Sequence, residues 1–176
     1  MAVLLALGLA LPLAAAGIRE RQDQRRQERL ETELRQLLFG KAVVSEARRH
    51  LGKPYLWGGK SGQGGFDCSG YTAAVYGALG VALSAGAQAQ LMQGADVPRA
   101  ALQPGDLLFF HGRGSPYHVG IYEGAGRFLH APGRGKSIQS TALTGPWTGR
   151  RWIGARRHAP PPLASMTTTP QRETAP

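Results

Sequence analysis

Residues 65–79 read GFDCSGYTAAVYGAL and contain the only cysteine of the chain, Cys68. Asp67 is a strong helix N-cap type, and Tyr71, Val75 and Leu79 recur at helical spacing, so a helix is predicted to begin at Asp67. Cys68 then falls in the first turn, where unpaired backbone N–H groups and the macrodipole favour negative charge. The thiolate is the reactive form of cysteine, and a helix N-terminus is one setting that lowers its pKa. Ser69 and Gly70 keep the turn small, which leaves the sulfur open to close approach. A free cysteine is elsewhere most often a small buried hydrophobe. Its place in the first turn weighs towards a nucleophile, and in an exported protein an idle lone thiol is a liability.

On the N-terminal side of this helix lies a glycine-rich stretch, WGGKSGQGG, from Trp57. Before it, KAVVSEARRHLG places Ala42, Val43, Ala47 and Leu51 on one helical face, with Gly52 and Pro54 as the stop. Residues 18–39 are rich in Arg, Gln, Glu and Leu, which favour helix. Leu30, Leu34, Leu37 and Leu38 form an apolar stripe only near the end, so a solvated helix docking through its last turns and ending at Gly40 is predicted. The first seventeen residues, MAVLLALGLALPLAAAG, are apolar throughout. They have the length of a signal-peptide core, with Ala14-x-Ala16 as a small-residue cleavage site, although no Lys or Arg precedes them. Cleavage as a leader and retention as a short membrane anchor are both open.

On the C-terminal side a second short helix is predicted after Ser84, and then the texture changes. DLLFFHG, YHVGIYEG, RFLHAPG, SIQST and RWIGARR are short apolar or alternating runs divided by Gly and Pro turns. Helices followed by an antiparallel sheet make an α+β arrangement. LQPGD, with Pro104-Gly105, is a tight turn feeding a core strand. Trp147 and Trp152 read as core residues. Residues 159–176 are too poor in apolar residues to fold and read as a disordered tail.

A thiol nucleophile needs a base, and the base needs an orienting group. Of the five histidines, His50 beside two arginines and His158 before the tail read as surface residues, and His111 could go either way. His118 and His130 lie at a hairpin separation, so adjacent antiparallel strands would set their rings side by side. A zinc site of Cys68, His118 and His130 lacks the paired spacing that makes such sites convincing.

The chain carries a formal charge of +10. Residues 18–36 are nearly balanced, with six Arg against five acids, while residues 41–158 carry 14 Lys and Arg against five acids, a net +9. An anionic partner or matrix is expected for that region. No aromatic-basic interleaving marks a nucleic-acid binder, so none is expected as partner.

Taken together, PYLWGGKSGQGGFDCSG, LQPGDLLFF, HVGIYEG and RFLHAPG resemble the NlpC family of bacterial cell-wall cysteine peptidases, a papain-like group. The resemblance runs from about Ala42 to Arg157. It implies helices carrying the cysteine packed on a small antiparallel sheet, with Cys68 as nucleophile, His118 as general base and His130 as the orienting residue. It also implies that Tyr55 faces the active site and that Asp67 and Ser69 help hold the free amine end of a peptide stem. The implied activity is a peptidoglycan endopeptidase that cuts the stem peptide at the γ-D-glutamyl–diamino acid bond through a thioester, as a monomer, with no cofactor and no metal. Its expected partners are stem peptides and the anionic wall surface, in the periplasm or at the cell wall. The implied division is a leader or anchor at 1–17, a polar helical extension at 18–40, the peptidase domain at 41–158 and the tail at 159–176. A papain-like amidase or acyltransferase on another amide or a lipid is one alternative, and a non-catalytic wall-binding module is another.

Overall fold

The computed structural model describes residues 2–61, 64–112 and 117–162. Most of the expected tail, 163–176, and the side chain of Trp147 lie outside the described residues and side chains, as do the side chains of the first sixteen residues. By its contacts the chain divides into two units, residues 1–36 and 37–176.

Helix α1 spans Ala2–Arg48. Within the first unit its side chains from Ile18 to Arg35 are all exposed, including Leu30 and Leu34. In the second unit Leu37 and Leu38 are exposed as well. The leucine stripe is therefore exposed along its length. The turns that are buried carry Phe39, Val43, Val44 and Ala47.

The helix also fails to stop at Gly40, and the reason lies in packing. A Cβ at Gly40 would come within 2.0 Å of the Pro104 carbonyl oxygen, so this glycine is the notch on which the Pro104-Gly105 turn rests. Leu51 is exposed, because the helix ends at Arg48 before that face is completed.

The remaining elements of the second unit follow in the expected order. A two-residue pair, β1 (Lys60–Ser61) and β2 (Gly65–Phe66), precedes α2 (Cys68–Gly77) and α3 (Ala87–Leu91). Then come β3 (Ala95–Asp96), β4 (Leu107–His111), β5 (Tyr117–Gly124), β6 (Arg127–His130), β7 (Gln139–Ala142), α4 (Pro146–Arg151) and β8 (Trp152–Arg157). The sheet order is β3-β8-β4-β5-β6-β7, and every pairing in it is antiparallel.

The unbroken apolar run of β4 follows from burial on both faces. Leu107 and Phe109 join Val43, Ala47, Tyr71, Val75 and Tyr76 in the core that carries α2. Leu108 and Phe110 face the other way, against Val97, Phe128, Leu143 and Ala155, and Trp152 packs on that cluster. The turn before β4 is held by Asp106, which is almost fully buried. Its carboxylate accepts the Gln103 N–H at 2.7 Å and a two-pronged pair from Arg157 at 2.7 and 2.8 Å.

Candidate active site

Asp67 caps α2 as its residue type demands. Its Oδ1 accepts the Gly70 N–H at 2.6 Å and the Ser69 hydroxyl at 3.0 Å, while Oδ2 accepts the Gly58 N–H at 3.1 Å. An N-cap of this kind contributes about 1 kcal/mol to its helix. The Asp67 N–H in turn donates to the Gly59 carbonyl at 3.0 Å, so the Trp57–Gly59 loop and the first turn of α2 are tied together. Gly70 belongs to that tie. A Cβ there would stand 2.1 Å from the Gly59 carbonyl oxygen, so its smallness serves the packing of the loop, not access to the sulfur.

Cys68 is the first residue of α2 and is partly buried. Burial is the largest influence on its thiol and raises the pKa, and the Asp67 carboxylate adds to that rise. The backbone N–H groups of Val119, Ser69 and Cys68 itself oppose it. Burial therefore outweighs the helix terminus, contrary to the lowered pKa that the sequence pattern predicts.

His118 lies on β5 and His130 ends β6, both buried. The β5–β6 hairpin puts the rings 5.0 Å apart between centroids at 82°, with His118 Nε2 and His130 Nδ1 at 2.8 Å. This contact engages Nε2 of His118 and Nδ1 of His130. His130 Nε2 lies 2.9 Å from Thr141 Oγ1 on β7, extending the chain by one hydroxyl. Burial pushes His118 down to about 4. It pushes His130 down to about 3, with His118 and Lys136 as smaller causes.

The close edge-on approach of the two rings depends on Gly120. A Cβ there would meet Phe128 Cδ2 at 2.6 Å, the Leu129 carbonyl oxygen at 2.8 Å and His130 Cβ at 3.0 Å. Gly120→Ala is therefore expected to displace His130 and cost about 1–3 kcal/mol of stability, as overpacking does. Activity should fall by more than the melting point shift explains. Parallel melting and rate measurements check this, and unchanged values in both would refute the close-approach reading.

The other histidines divide differently from the sequence reading. His111 is exposed at the end of β4 and is not among the cleft residues. His50 is only partly exposed, packed edge-on against Phe66 and Tyr71. His158 is buried against Tyr76 at 5.3 Å. Neither is a surface residue, because the neighbouring aromatic rings come from elements distant in sequence.

Four rings, His50, His118, His130 and His158, have pKa values lowered by burial as the first cause. Below the unfolded value of about 6.5 the unfolded chain binds these protons before the folded one does, so folding stability is lost as pH falls from about 6.5 towards 4. The urea midpoint should be lower at pH 4.5 than at pH 7. An unchanged midpoint would mean that the rings are not buried as neutral groups.

Cys68 and His118 open into a cleft of about 730 Å³ that is also lined by Tyr55, Trp57, Asp67, Ser69, Gly86, Tyr117 and Arg134. Five of the six residues singled out in the sequence come together here, and the sixth, His130, stands behind His118. Tyr55 is partly buried, and burial first, then Cys68 and Asp67, raises its phenol pKa, so it is a proton donor at neutral pH. A second pocket of about 460 Å³ shares Asp67, Ser69 and Gly86 and continues towards Lys60, Ala73 and Leu83. Among the described residues no group of three His, Cys, Asp or Glu is arranged to hold a metal ion.

Sequence reasoning missed Thr141, Trp57 as an exposed side chain, and Arg134. Alternation along SIQST would have put Gln139 and Thr141 on one face. No comparable signal marks Arg134.

The sequence pattern of the NlpC/P60 family matches residues 52–157. The chain is 39% identical over 122 residues to the murein DD-endopeptidase MepH of Escherichia coli, covering 66% of this chain and 45% of that protein. It is 47% identical over 105 residues to a gamma-D-glutamyl-L-lysine dipeptidyl-peptidase of Bacillus subtilis, covering 58% of this chain and 35% of that one. The crystal structure of an NlpC/P60 family protein from Bacillus cereus superposes with a TM-score of 0.64 at 36% identity, over 69% of this chain and 40% of that one. The matched region thus spans less than half the length of each of these relatives.

Proposed function

The chain belongs to the NlpC/P60 family, and from that membership we propose that it is a peptidoglycan hydrolase. It cuts the stem peptide at the γ-D-glutamyl–diamino acid bond, with Cys68 as nucleophile, His118 as general base and His130 as the residue that orients it. The observation that carries this reading is that Cys68 and His118 line one cleft, with His118 Nε2 at 2.8 Å from His130 Nδ1 and His130 Nε2 at 2.9 Å from Thr141 Oγ1.

The electrostatics favour a neutral resting pair, thiol and imidazole, over a preformed thiolate–imidazolium pair. His118 accepts the thiol proton at Nδ1 as the sulfur attacks the scissile carbonyl carbon. For that, Nε2 must carry its proton and donate to His130 Nδ1, and His130 Nε2–H must donate to Thr141 Oγ1. Only this set of tautomers leaves Nδ1 of His118 unprotonated. The tetrahedral oxyanion is held by the first-turn N–H of Cys68 and by the Tyr55 hydroxyl. Its collapse expels the amine, which takes the proton from His118, and leaves a thioester on Cys68. Water, deprotonated by the same nitrogen, then releases the acid and restores the thiol.

Asp67 and Ser69 touch the amine-bearing side of the substrate. Three hydrogen bonds already reach the Asp67 carboxylate, leaving about one of its four acceptor directions for an amine. The second pocket continues past them towards Lys60, Ala73 and Leu83. The zinc alternative is disfavoured because Cys68, His118 and His130 lack the paired ligand spacing of zinc sites. The basic character of residues 41–158 suits an anionic wall, and the apolar start suits export. The domain division at 17 and 158 belongs to the same proposal.

Digestion of purified peptidoglycan with EDTA present, followed by mass spectrometry of the fragments, tests the reading. Products ending in γ-D-glutamate support it. Cuts only at D-alanyl cross-links would move the activity to the DD-endopeptidase class of the Escherichia coli relative.

A further inference from the structure

The catalytic cleft holds one acid and one cation among its described lining residues, Asp67 and Arg134. Their circumstances differ. Asp67 is occupied by three donors from its own loop and helix. Among the described residues Arg134, exposed on the loop between β6 and β7, makes no hydrogen bond or ion pair, and its guanidinium carbon stands 6.0 Å from the centroid of the Trp57 ring. Trp57 is itself 61% exposed. A large aromatic side chain this exposed, beside a guanidinium with its donors unused, forms a recognition surface with no structural task in the fold.

The two side chains are placed on rigid backbone. The Tyr55 N–H donates to the Lys136 carbonyl at 2.8 Å, and Pro54 bridges Ser137, so the loop bearing Trp57 and the loop bearing Arg134 are stitched together. Arg134 is close enough to the reaction centre to oppose, as the smallest cause, the rise that burial, Cys68 and Asp67 impose on the Tyr55 phenol.

We propose that Arg134, steadied on Trp57, is a specificity-determining residue that binds the free α-carboxylate of the γ-linked glutamyl residue of the substrate. The inference rests on the γ-glutamyl reading above. A residue linked through its side-chain carboxyl necessarily leaves its α-carboxylate unblocked, whereas a lysine in mid-stem has its carboxyl tied up in the next peptide bond. Where the diamino acid is lysine, the glutamyl residue is therefore the one of the two flanking the scissile bond that offers an anion. A guanidinium matches a carboxylate with two parallel N–H bonds, so an Arg placed here separates the acid from its amide.

The test compares two synthetic stem peptides that differ only in that α-group, carboxylate or carboxamide, with wild type, Arg134→Gln and Arg134→Lys. Wild type should show a KM for the amide on the order of 10-fold higher, with kcat changed less, as loss of a charge-assisted pair implies. Arg134→Gln should raise KM for the carboxylate peptide by a similar factor and treat both peptides alike. Arg134→Lys, which keeps the charge, should recover part of the preference. Equal KM values for the two peptides with wild type would overturn the proposal. So would a preference that survives unchanged in Arg134→Gln. Failure of wild type to cut either peptide would instead refute the γ-glutamyl reading itself.

Discussion

Cys68→Ala is expected to reduce stem-peptide hydrolysis by about 10⁴-fold or more, the scale on which removing a covalent nucleophile acts. The fold should survive. The side chain is only partly buried, and the contacts that fix the first turn of α2 come from Asp67, Ser69 and Gly70. A change within about 1 kcal/mol in stability is expected for so small a truncation. Rate assays beside a melting curve check both halves. Retained activity would remove the thiol from the mechanism, and a collapsed fold would show that Cys68 is structural.

The second large effect concerns the division of labour between the two histidines. His118→Ala removes the proton acceptor of both half-reactions, and a loss of about 10²–10⁴-fold is expected. No other described histidine lines the cleft, since His130 stands behind His118 and His111 is not a cleft residue. His130→Gln keeps a group able to accept from His118 Nε2–H and should retain partial activity, while His130→Ala should lose more. His111→Ala should change little. The two alanine variants at buried sites leave a partner ring without its hydrogen bond, so their folding must be measured beside their rates. An effect at His111 equal to that at His118 would mean that the base has been misassigned.

The parts of the site that were legible in the sequence are those governed by local rules. An N-cap residue before apolar residues at helical spacing placed Cys68 at the start of α2, and a hairpin separation brought His118 and His130 together. The strands around Phe109, Ile121 and Leu129 followed from apolar runs between turn residues. What the sequence hid was tertiary. Gly40 carries the pattern of a helix stop, yet it is the close approach of Pro104 that requires a glycine there. Gly70 similarly makes room for the Gly59 carbonyl.

Burial of charge-bearing groups was also out of reach. His158 sits among polar and proline residues in sequence but packs on Tyr76. The thiol pKa turned on how much of Cys68 the sheet covers, a quantity that the helix N-terminus alone does not determine. Arg134 stood unremarked in a basic glycine-rich loop because nothing local links it to Trp57, which lies far earlier in the chain.

The central claim is a thioester between Cys68 and the glutamyl half of the stem. Acid-quenched reactions under single-turnover conditions, followed by mass spectrometry of the proteolysed protein, test it most directly. The account predicts that the peptide containing Cys68 gains the mass of the fragment ending in γ-D-glutamate, less one water, and that Cys68→Ala forms neither adduct nor product. An adduct on another residue, or product released by Cys68→Ala at the wild-type rate, would contradict it.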